Sequence, residues 1–279
     1  MKFSVSIVLF NPESKYFEYY KQYSKYFDFV YFIDNSSVVN EDLEKDLKVN
    51  KNVKFISNSK NLGIAKALNI ALDLAKKDAA DFLLTMDQDS IFPFHDLEKI
   101  KSVLIKKANE KIGIIGLNIN KKEEGEELIL KDWLITSGNF IFLNNIGNIS
   151  FNEDLFIDCV DTDFCFKLSK KSLKVYYFSN FFIKHKIGNP TFHKFLFFKF
   201  KSFNYSPLRY YYIFRNITFL YKESHRDPFF KKLYYKTRIL WFIEILFYED
   251  YKVKKIKAIK SGLKDAKNKR LGPCQLNLV

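Results

Sequence analysis

The sequence lacks the features that mark several common protein classes. Its three cysteines, Cys159, Cys165 and Cys274, show no C-x-x-C spacing, which argues against a disulfide framework and a zinc site and favours a reducing compartment. No uncharged apolar run approaches the roughly 18 residues of a membrane-spanning helix. The N-terminus leads into a short strand-like run rather than a signal-peptide core. We therefore expect a cytoplasmic protein that is soluble or peripheral to a membrane.

Two phosphate-binding motifs are missing as well. Neither G-x-x-x-x-G-K-[ST] nor G-x-G-x-x-G occurs, which disfavours nucleoside triphosphatases and dinucleotide-binding enzymes. What is present is a high apolar content, since 47% of the 279 residues are hydrophobic and 18% are aromatic. That composition predicts a folded chain with a substantial core rather than a disordered one.

The excess positive charge is confined to the last third of the chain. Residues 1–190 contain equal numbers of basic and acidic side chains, whereas residues 191–279 contain 20 Lys and Arg against 6 Asp and Glu, the whole net charge of +14. This division predicts a catalytic domain over 1–190 and a basic C-terminal region over 191–279. Such a region suits a polyanionic or membrane-surface partner; the alternative is that the lysines only solvate helix surfaces.

Short apolar runs alternate with helical patterns over the first ninety residues. Strands are predicted at residues 5–10, 29–33, 53–56 and 82–86. Apolar residues recur at three- and four-residue steps in Ile64–Lys77, which predicts an amphipathic helix. Strands that alternate with helices form a parallel sheet with right-handed crossovers. The predicted fold class is therefore α/β, with a mostly parallel central sheet flanked by helices and a helical C-terminal region.

Polar loops follow all four predicted strands. Ligands of parallel sheets bind beyond the carboxyl ends of the strands, so residues at these ends are site candidates. They are Phe10, Asn11, Pro12, Glu13, Asp34, Asn61, Gly63, Asp87, Gln88 and Asp89. Gly63 precedes the helix that starts at Ile64, whose first N–H groups suit an anion; an ordinary turn is the alternative.

Asp87-Gln88-Asp89 ends the fourth strand with two carboxylates two residues apart. Such a pair is costly to bury unless positive charge lies beside it, and carboxylate oxygens are ligands that Mg²⁺ and Mn²⁺ accept. A helix cap or a turn would explain the same residues. The position after the fourth strand of an α/β unit favours a metal that bridges a diphosphate.

Nine segments, in order along nearly the whole chain, carry a family pattern. They are residues 4–12, 32–36, 61–69, 85–89, 135–140, 151–167, 206–211, 215–216 and 259–264. The pattern resembles family 2 glycosyltransferases, and within them the rhamnosyltransferase-like branch. The resemblance implies a GT-A type fold over residues 1–190 that binds a nucleotide diphosphate sugar.

The resemblance also implies roles for the site candidates. Asp34 would contact the nucleoside, Asp87 the ribose, and Asp89 the Mn²⁺ or Mg²⁺ ion that bridges the donor diphosphate. The other predicted donor-binding residues are Phe10, Asn11, Pro12, Glu13, Asn61, Gly63, Lys66, Gln88, Arg209 and Arg215. Guanidinium groups bind phosphate oxygens well. The alternative for either arginine is that its side chain faces solvent.

Attack by a sugar hydroxyl needs a base, because an alcohol is a poor nucleophile at neutral pH. The resemblance assigns that role to Asp161, although the family usually has Glu-Asp where this chain has Val160-Asp161. Asp158 and Asp163 are close alternatives: Asp161 shares a face with Asp163 in a strand and with Asp158 in a helix. A further interpretation is that all three only cap and solvate the start of a helix.

Metal and acceptor contacts are predicted at four more positions. His185 lies where the family often places a histidine near the metal, so it is predicted as a metal ligand with Asp89; a surface histidine between two lysines is the alternative. Ser137, Gly138 and Asp158 are the predicted acceptor-binding residues. For Ser137-Gly138 a plain turn explains the sequence equally well.

The C-terminal region is predicted to form helices at residues 207–222, 228–248 and 253–267, which combine aromatic side chains with lysines. Such a surface suits the anionic cytoplasmic leaflet, where each Lys or Arg contributes ~1 kcal/mol. We therefore predict peripheral contact with the cytoplasmic face of the inner membrane. The alternative is that these faces form a core or a homodimer interface.

The predicted activity is inverting transfer of a sugar from dTDP-rhamnose or a UDP-sugar to a hydroxyl of a bacterial surface polysaccharide or a lipid-linked glycan. A galactosyl-, galactofuranosyl- or N-acetylhexosaminyltransferase of the same fold is the alternative. A non-catalytic nucleic-acid-binding protein would explain the basic region. It would leave the acidic loops unexplained, since they repel phosphate without metal, so we expect no nucleic-acid partner.

Overall fold

The computed structural model describes residues 1–185, 191–195 and 198–275, and the chain divides into two compact units. Unit 1 comprises Met1–Glu153 and Val160–His185, and unit 2 comprises Asp154–Cys159 and Lys186–Val279. The sequence-based boundary at residue 190 falls within residues 186–190, which lie outside the described residues. Residues 154–159 belong to unit 2, a feature that the charge distribution does not indicate.

Unit 1 is built on an eight-stranded sheet. Its strands are β1 Phe3–Leu9, β2 Phe29–Asp34, β3 Val53–Ser57, β4 Phe82–Asp87, β5 Ile112–Ile119, β6 Leu128–Leu130, β7 Asn139–Phe142 and β8 Lys174–Ile183. The spatial order is β3-β2-β1-β4-β7-β5-β8-β6. Neighbours among β1 to β4 are parallel, as are β5 and β8, whereas β7 and β6 run antiparallel to their neighbours.

Seven helices accompany the sheet in unit 1. They are α1 Phe17–Tyr20, α2 Tyr23–Tyr26, α3 Glu41–Lys48, α4 Ile64–Lys77, α5 Leu97–Lys106, α6 Leu143–Ile146 and α7 Val160–Lys170. Short 3₁₀ helices form at Ser14–Tyr16, Phe94–Asp96 and Glu153–Leu155. The buried face of α4 includes four alanines, which let the helix approach β1 and β2 closely.

The predicted α/β fold class is confirmed, and its physical basis is visible in β1. All seven residues of this strand are buried, because both faces of a parallel sheet are covered by helices. The backbone enters α4 through Gly63, whose φ of 84° lies in the left-handed region that favours glycine. The predicted helix over residues 64–77 matches α4 at both ends.

Unit 2 contains an antiparallel strand pair followed by helices. Its elements are β9 Thr191–Phe195, β10 Phe198–Ser202, α8 Pro207–Glu223, α9 Pro228–Lys236, a π-helical turn Thr237–Trp241, α10 Phe242–Tyr248 and α11 Lys252–Lys267. The predicted helical C-terminal region is thus confirmed, with the π-helical turn joining two helices where one was predicted. Helices α8 and α11 pack against each other.

A buried ion pair lies inside unit 2. Lys255 Nζ is 2.9 Å from Glu249 Oε2, and both side chains are buried. The Tyr210 hydroxyl donates to the same carboxylate at 2.7 and 2.8 Å, and the Asn204 backbone N–H donates to it at 3.1 Å. With these partners the buried charges are satisfied, which is the condition under which such a pair is tolerated.

Among the described residues, no helix combines the length and the apolar content needed to cross a bilayer. No disulfide bond links the three cysteines.

Candidate functional site

The carboxyl ends of four neighbouring strands meet at one edge of the unit 1 sheet. Leu9 at the end of β1 pairs with Asp34 at the end of β2, and Asp34 pairs with Ser57 of β3. On the other side of β1, Val8 pairs with Asp87, the last residue of β4. The register therefore brings the polar loops that follow these strands to the same edge, as the sequence pattern requires.

The loops after β1 and β4 are joined by a reciprocal amide contact. The Phe10 backbone N–H donates to Gln88 Oε1 at 2.7 Å, and Gln88 Nε2 donates to the Phe10 carbonyl at 3.1 Å. Gln88 thus fixes the spacing between the two loops. The Phe10 ring is 47% exposed at this edge, and the Asn11 backbone N–H donates to Ser36 Oγ at 2.7 Å.

A second network joins the loops after β2 and β3 to the start of α4. Buried Asp34 accepts from the Ser36 backbone N–H at 2.8 Å. Asn35 Nδ2 donates to the Gly63 carbonyl at 3.1 Å, and Asn35 Oδ1 accepts from Asn58 Nδ2 at 2.9 Å. These bonds fix the position of Asp34 at this edge of the sheet, next to the backbone segment that leads into α4.

Asp87, Asp89 and His185 form a cluster whose potential ligand atoms all lie within 4.8 Å of one another. Opposite ligands of an octahedral Mg²⁺ or Mn²⁺ ion lie ~4.2 Å apart. The three side chains would therefore have to move only slightly closer together to bind such an ion. Two carboxylates and an imidazole are an acceptable donor set for a divalent metal. The sequence-predicted ligands Asp89 and His185 are thus brought together, and Asp87 joins them.

The backbone around His185 is held from two sides. Its N–H donates to Asn120 Oδ1 at 2.8 Å, and Asn120 Nδ2 donates to its carbonyl at 2.7 Å. The preceding residue, Lys184, forms a two-way backbone bridge with Ile91 in the loop after β4. This anchoring fixes the imidazole beside Asp89, with Nδ1 3.7 Å from Asp89 Oδ1.

Two buried serine hydroxyls connect the imidazole to β4. Ser90 Oγ lies 2.7 Å from His185 Nδ1, Ser137 Oγ donates to Ser90 Oγ at 2.8 Å, and the Asp87 backbone N–H donates to Ser137 Oγ at 3.1 Å. Hydroxyl groups both donate and accept, so this series of hydrogen bonds is compatible with either tautomer of the imidazole. Ser90 was not among the site residues predicted from the sequence, because no sequence motif distinguishes a serine that follows a D-x-D motif.

Asp161 lies in the first turn of α7, where the helix dipole favours an ionised carboxylate. Its Oδ1 accepts from the Thr162 backbone N–H at 2.7 Å. The side chain lines a narrow cavity of about 10 Å³ together with Thr85 and Thr136. Thr85 and Asp87 are two residues apart on β4 and therefore share a face of the sheet, so this cavity lies on the sheet face that Asp87 also occupies.

The two alternatives to Asp161 have partners of their own. Asp163 is buried, and Lys167 Nζ lies 2.8 Å from its carboxylate; burial raises the pKa of Asp163 above its ordinary value. Asp158, in unit 2, pairs with Arg209, whose Nη2 lies 2.6 Å from Asp158 Oδ1. Asp158 and Cys159 both have φ above 60°, a left-handed backbone that often accompanies functional segments.

Arg215 has a structural position that differs from the sequence-based prediction. Its side chain is 0% exposed. The guanidinium donates to the carbonyls of Gly272 at 2.6 Å and Leu155 at 2.9 Å, and to the Asn216 side chain at 2.9 Å. Because these donors are used inside unit 2, Arg215 stabilises this unit and is a poor candidate for contact with a donor phosphate.

Several other predicted site residues also have structural partners. Lys66 Nζ lies 3.1 Å from Glu153, and Asn61 Oδ1 accepts from the Gly63 backbone N–H at 2.9 Å. Glu13 is exposed and pairs with Lys15 at 2.6 Å, while Pro12 is half-buried.

Gly138 is a position where glycine is required. Its φ is 85°, and an added Cβ would lie 3.0 Å from Ile183 Cδ1. Its N–H donates to the Thr85 carbonyl at 2.7 Å, and its carbonyl accepts from the Leu117 N–H at 2.8 Å. Gly138 thereby connects β4 and β5 and orients Ser137 toward Asp87.

Comparison with solved structures places this architecture among known folds. TarS residues 1–349 of Staphylococcus aureus matches with a TM-score of 0.58 at 17% identity, covering 97% of this chain and 82% of that chain. GalNAc-T7, solved with UDP, GalNAc and Mn²⁺, matches with a TM-score of 0.60 at 14% identity, covering 96% of this chain and 56% of that chain. The shared fold is the GT-A type.

Sequence comparisons agree with the fold. The chain is 27% identical over 251 residues to dTDP-rhamnosyl transferase RfbF of Shigella flexneri, covering 78% of this chain and 79% of that protein. A family model described as Glycosyl transferase family 2 matches residues 20–176, more than half of the chain. The chain therefore belongs to glycosyl transferase family 2 and is a glycosyltransferase of the rhamnosyltransferase-like type.

Proposed function

We propose that the protein transfers a sugar, with inversion, from a nucleotide diphosphate donor to a hydroxyl group of a glycan acceptor. The observation that carries the proposal is the cluster of Asp87, Asp89 and His185 at the edge where ligands of α/β sheets bind. The Shigella flexneri relative supports dTDP-rhamnose as donor. A UDP-sugar is the alternative, since GalNAc-T7 was solved with UDP, and a galactosyl-, galactofuranosyl- or N-acetylhexosaminyltransferase would use one.

The donor nucleoside would bind over the ends of β1 and β2. Phe10 offers an exposed ring for the base to stack on. The Asp34 carboxylate is a buried hydrogen-bond acceptor at this edge. The hydrogen bond that it accepts from the Ser36 backbone N–H holds it in one orientation. Asn11 and Pro12 form the loop between them, and the N–H groups at the start of α4 lie beside Asn35, where they favour an anion.

A bound Mn²⁺ or Mg²⁺ ion would neutralise the negative charge that develops on the departing nucleoside diphosphate. Asp87, Asp89 and His185 would hold it. For Nε2 of His185 to act as a ligand, the proton must lie on Nδ1 and be donated to Ser90 Oγ, which also accepts from Ser137 Oγ. The hydrogen bonds of Ser90 and Ser137, called the serine chain below, would thus select the tautomer of the imidazole and fix its orientation.

Asp161 would act as the base. The acceptor oxygen attacks the anomeric carbon, its proton passes to the Asp161 carboxylate, and the bond between that carbon and the diphosphate oxygen breaks, so that the nucleoside diphosphate leaves with the electron pair. A single displacement inverts the configuration at the anomeric carbon. Asp163 is less suited to this role because Lys167 faces its buried carboxylate.

The acceptor would be a surface polysaccharide or a lipid-linked glycan, and a lipid-linked acceptor requires contact with a membrane surface. In unit 2, large apolar side chains between the π-helical turn and the end of α10 are exposed: Ile239, Leu240, Phe242, Ile243, Leu246 and Phe247. Lys231, Lys232 and Lys236 lie exposed on the preceding helix α9. Exposed apolar residues flanked by lysines suit an anionic bilayer surface; a homodimer interface is the alternative occupant.

The base assignment predicts a clean separation of catalysis from donor binding. Asp161→Asn is expected to lower transfer at least ~100-fold, because a general base contributes ~10²–10⁴-fold. Its affinity for the nucleoside diphosphate with Mn²⁺ should stay within about twofold of wild type, because the base acts only in the transition state. Product formation and isothermal titration calorimetry measure the two effects. Asp163→Asn is the matched control and should keep transfer within a few fold; if it alone abolished transfer, Asp163 would be the base.

The serine chain predicts an effect on metal affinity. Ser90→Ala should weaken Mn²⁺ binding ~10–100-fold, the usual effect of removing a group that orients a metal ligand, while far-UV circular dichroism stays unchanged. Titration of Mn²⁺ followed by electron paramagnetic resonance measures free ion directly. Ser102→Ala removes a hydroxyl that bonds only within α5 and should leave the affinity unchanged. Equal Mn²⁺ affinity in Ser90→Ala and wild type would refute the role of Ser90.

Membrane contact predicts a loss of vesicle binding when the exposed apolar residues of α10 are removed. Leu246→Ser combined with Phe247→Ser should reduce co-sedimentation with phosphatidylglycerol-containing vesicles at least ~10-fold, since burying each side chain contributes ~1.5–3 kcal/mol. Val38→Ser changes an apolar residue of unit 1 that is more exposed than either of these two residues and should have no effect. Equal sedimentation of the variant and wild type would contradict the proposal, and a concentration-dependent dimer lost in the variant would identify a homodimer interface instead.

A further inference from the structure

A groove of about 160 Å³ opens beside Ser137 in unit 1. It lies between the carboxyl-terminal end of β5 and the segment 131–139 that leads into β7. Ser137 is the one residue of the predicted site that lines it, so the groove is a separate subsite that adjoins the metal-binding cluster.

Trp133 lines the groove and is 43% exposed. An indole ring is a large apolar surface that proteins usually bury, and an exposed one in a cleft is typical of a ligand contact. The apolar C–H face of a hexopyranose is flat and matches such a ring in size. Leu134 and Ile135 continue the apolar lining toward Ser137.

Asn118 supplies an unused donor to the same groove. Its Oδ1 accepts from the Ile119 backbone N–H at 2.8 Å, which fixes the orientation of the amide. Its Nδ2 is buried and makes no hydrogen bond of normal geometry within the part of the chain that the structure describes, although it lies close enough to the Glu123 carboxylate to lower the pKa of that group. A hydroxyl group of a ligand in the groove could accept from this donor.

Glu123 supplies an acceptor. Lys121 Nζ lies 2.8 Å from its carboxylate, and the Tyr177 hydroxyl donates to it. These two contacts lower the pKa of Glu123 to about 2, with a smaller contribution from the nearby Asn118 amide. The carboxylate is therefore ionised at neutral pH, and an ionised carboxylate forms strong hydrogen bonds with hydroxyl groups.

We propose that this groove is a carbohydrate subsite that holds one hexopyranose ring against Trp133, with Asn118 and Glu123 bound to the hydroxyl groups of the sugar. The proposal rests on the proposed glycosyltransferase function and specifies where a sugar binds. Ser137 accepts from the Asp87 N–H and donates to Ser90, so a ring in the groove lies next to the metal-binding cluster. The ring is either the transferred sugar of the donor or the terminal sugar of the acceptor.

The first experiment measures sugar binding without turnover. Saturation-transfer difference NMR is recorded with methyl glycosides of rhamnose, glucose, galactose and N-acetylglucosamine, in the presence of diamagnetic Mg²⁺ and dTDP or UDP. At least one glycoside should bind wild type and bind Trp133→Ala or Asn118→Ala at least ~10-fold more weakly, with Trp133→Phe in between. Ile105→Ala removes an equally exposed apolar side chain of unit 1 outside the groove and should bind as wild type does.

The second experiment identifies the source of the sugar. Affinities of dTDP-rhamnose and a UDP-hexose are compared with those of dTDP and UDP alone. If the ring belongs to the donor, Trp133→Ala lowers the affinity for the nucleotide sugar and not for the bare nucleotide. If it belongs to the acceptor, both nucleotide affinities stay unchanged while glycoside binding is lost.

The proposal is overturned if glycoside and nucleotide-sugar affinities are the same in wild type, Trp133→Ala and Asn118→Ala, or if wild type binds no glycoside and the nucleotide-sugar affinities do not change. Because Trp133 is half-exposed, its truncation should leave the melting temperature within a few degrees of wild type, so loss of folding does not imitate the expected result. Failure of the glycosyltransferase proposal has a different signature: wild type would bind no nucleotide with metal, whatever the glycosides do.

Discussion

The repulsion between two neighbouring carboxylates is the constraint on which the rest of the site depends. Asp87 ends a buried strand between β1 and β7, and Asp89 follows two residues later, with ligand atoms of both near His185. Negative charges this close are unfavourable unless a cation lies between them. The surrounding structure keeps them together: Gln88 ties the loop to Phe10, and Ile91 bridges to Lys184. The proposed function accounts for this arrangement, since a divalent ion would offset the repulsion between the two carboxylates.

The sheet determines which other groups surround that cluster. Parallel pairing of β1 with β2 and β4 aligns the loops that contain Asn11, Asp34 and Asp87. The antiparallel strand β7 enters beside β4 and brings Ser137 against the Asp87 backbone. The proposed nucleotide region, the proposed metal region and the groove at Trp133 therefore follow one another along one edge. If the sugar in the groove belongs to the donor, this order would match the order of groups in a nucleotide sugar.

Much of the fold and part of the site could be predicted from the sequence. Strands β1 to β4 were predictable from their short apolar runs and α4 from its helical period, and the order of the motifs indicated the family. The contacts that position the site were not predictable, because they join residues far apart in sequence: Ser90 with His185, and Gln88 with Phe10. Arg215 was predicted as a donor-binding residue and is instead buried against carbonyl groups, since sequence alone does not say which face of α8 is covered. Trp133 and Asn118 belong to no sequence motif that predicts a function. Only the structure shows that both line the same groove between β5 and the segment that leads into β7.

The most direct test of the central claim, that the acidic edge binds a nucleoside diphosphate together with a divalent ion, is a thermal-shift screen. The melting temperature is measured with dTDP, UDP, GDP and CDP, each with and without Mn²⁺ or Mg²⁺. At ~100 times the dissociation constant, a ligand of the folded state contributes ~2.7 kcal/mol, which raises the melting temperature by several degrees for a chain of this size. We expect such a rise for at least one nucleotide, only with metal, and its loss in Asp89→Ala. No shift with any pair at millimolar concentration, or an equal shift in Asp89→Ala, would contradict it.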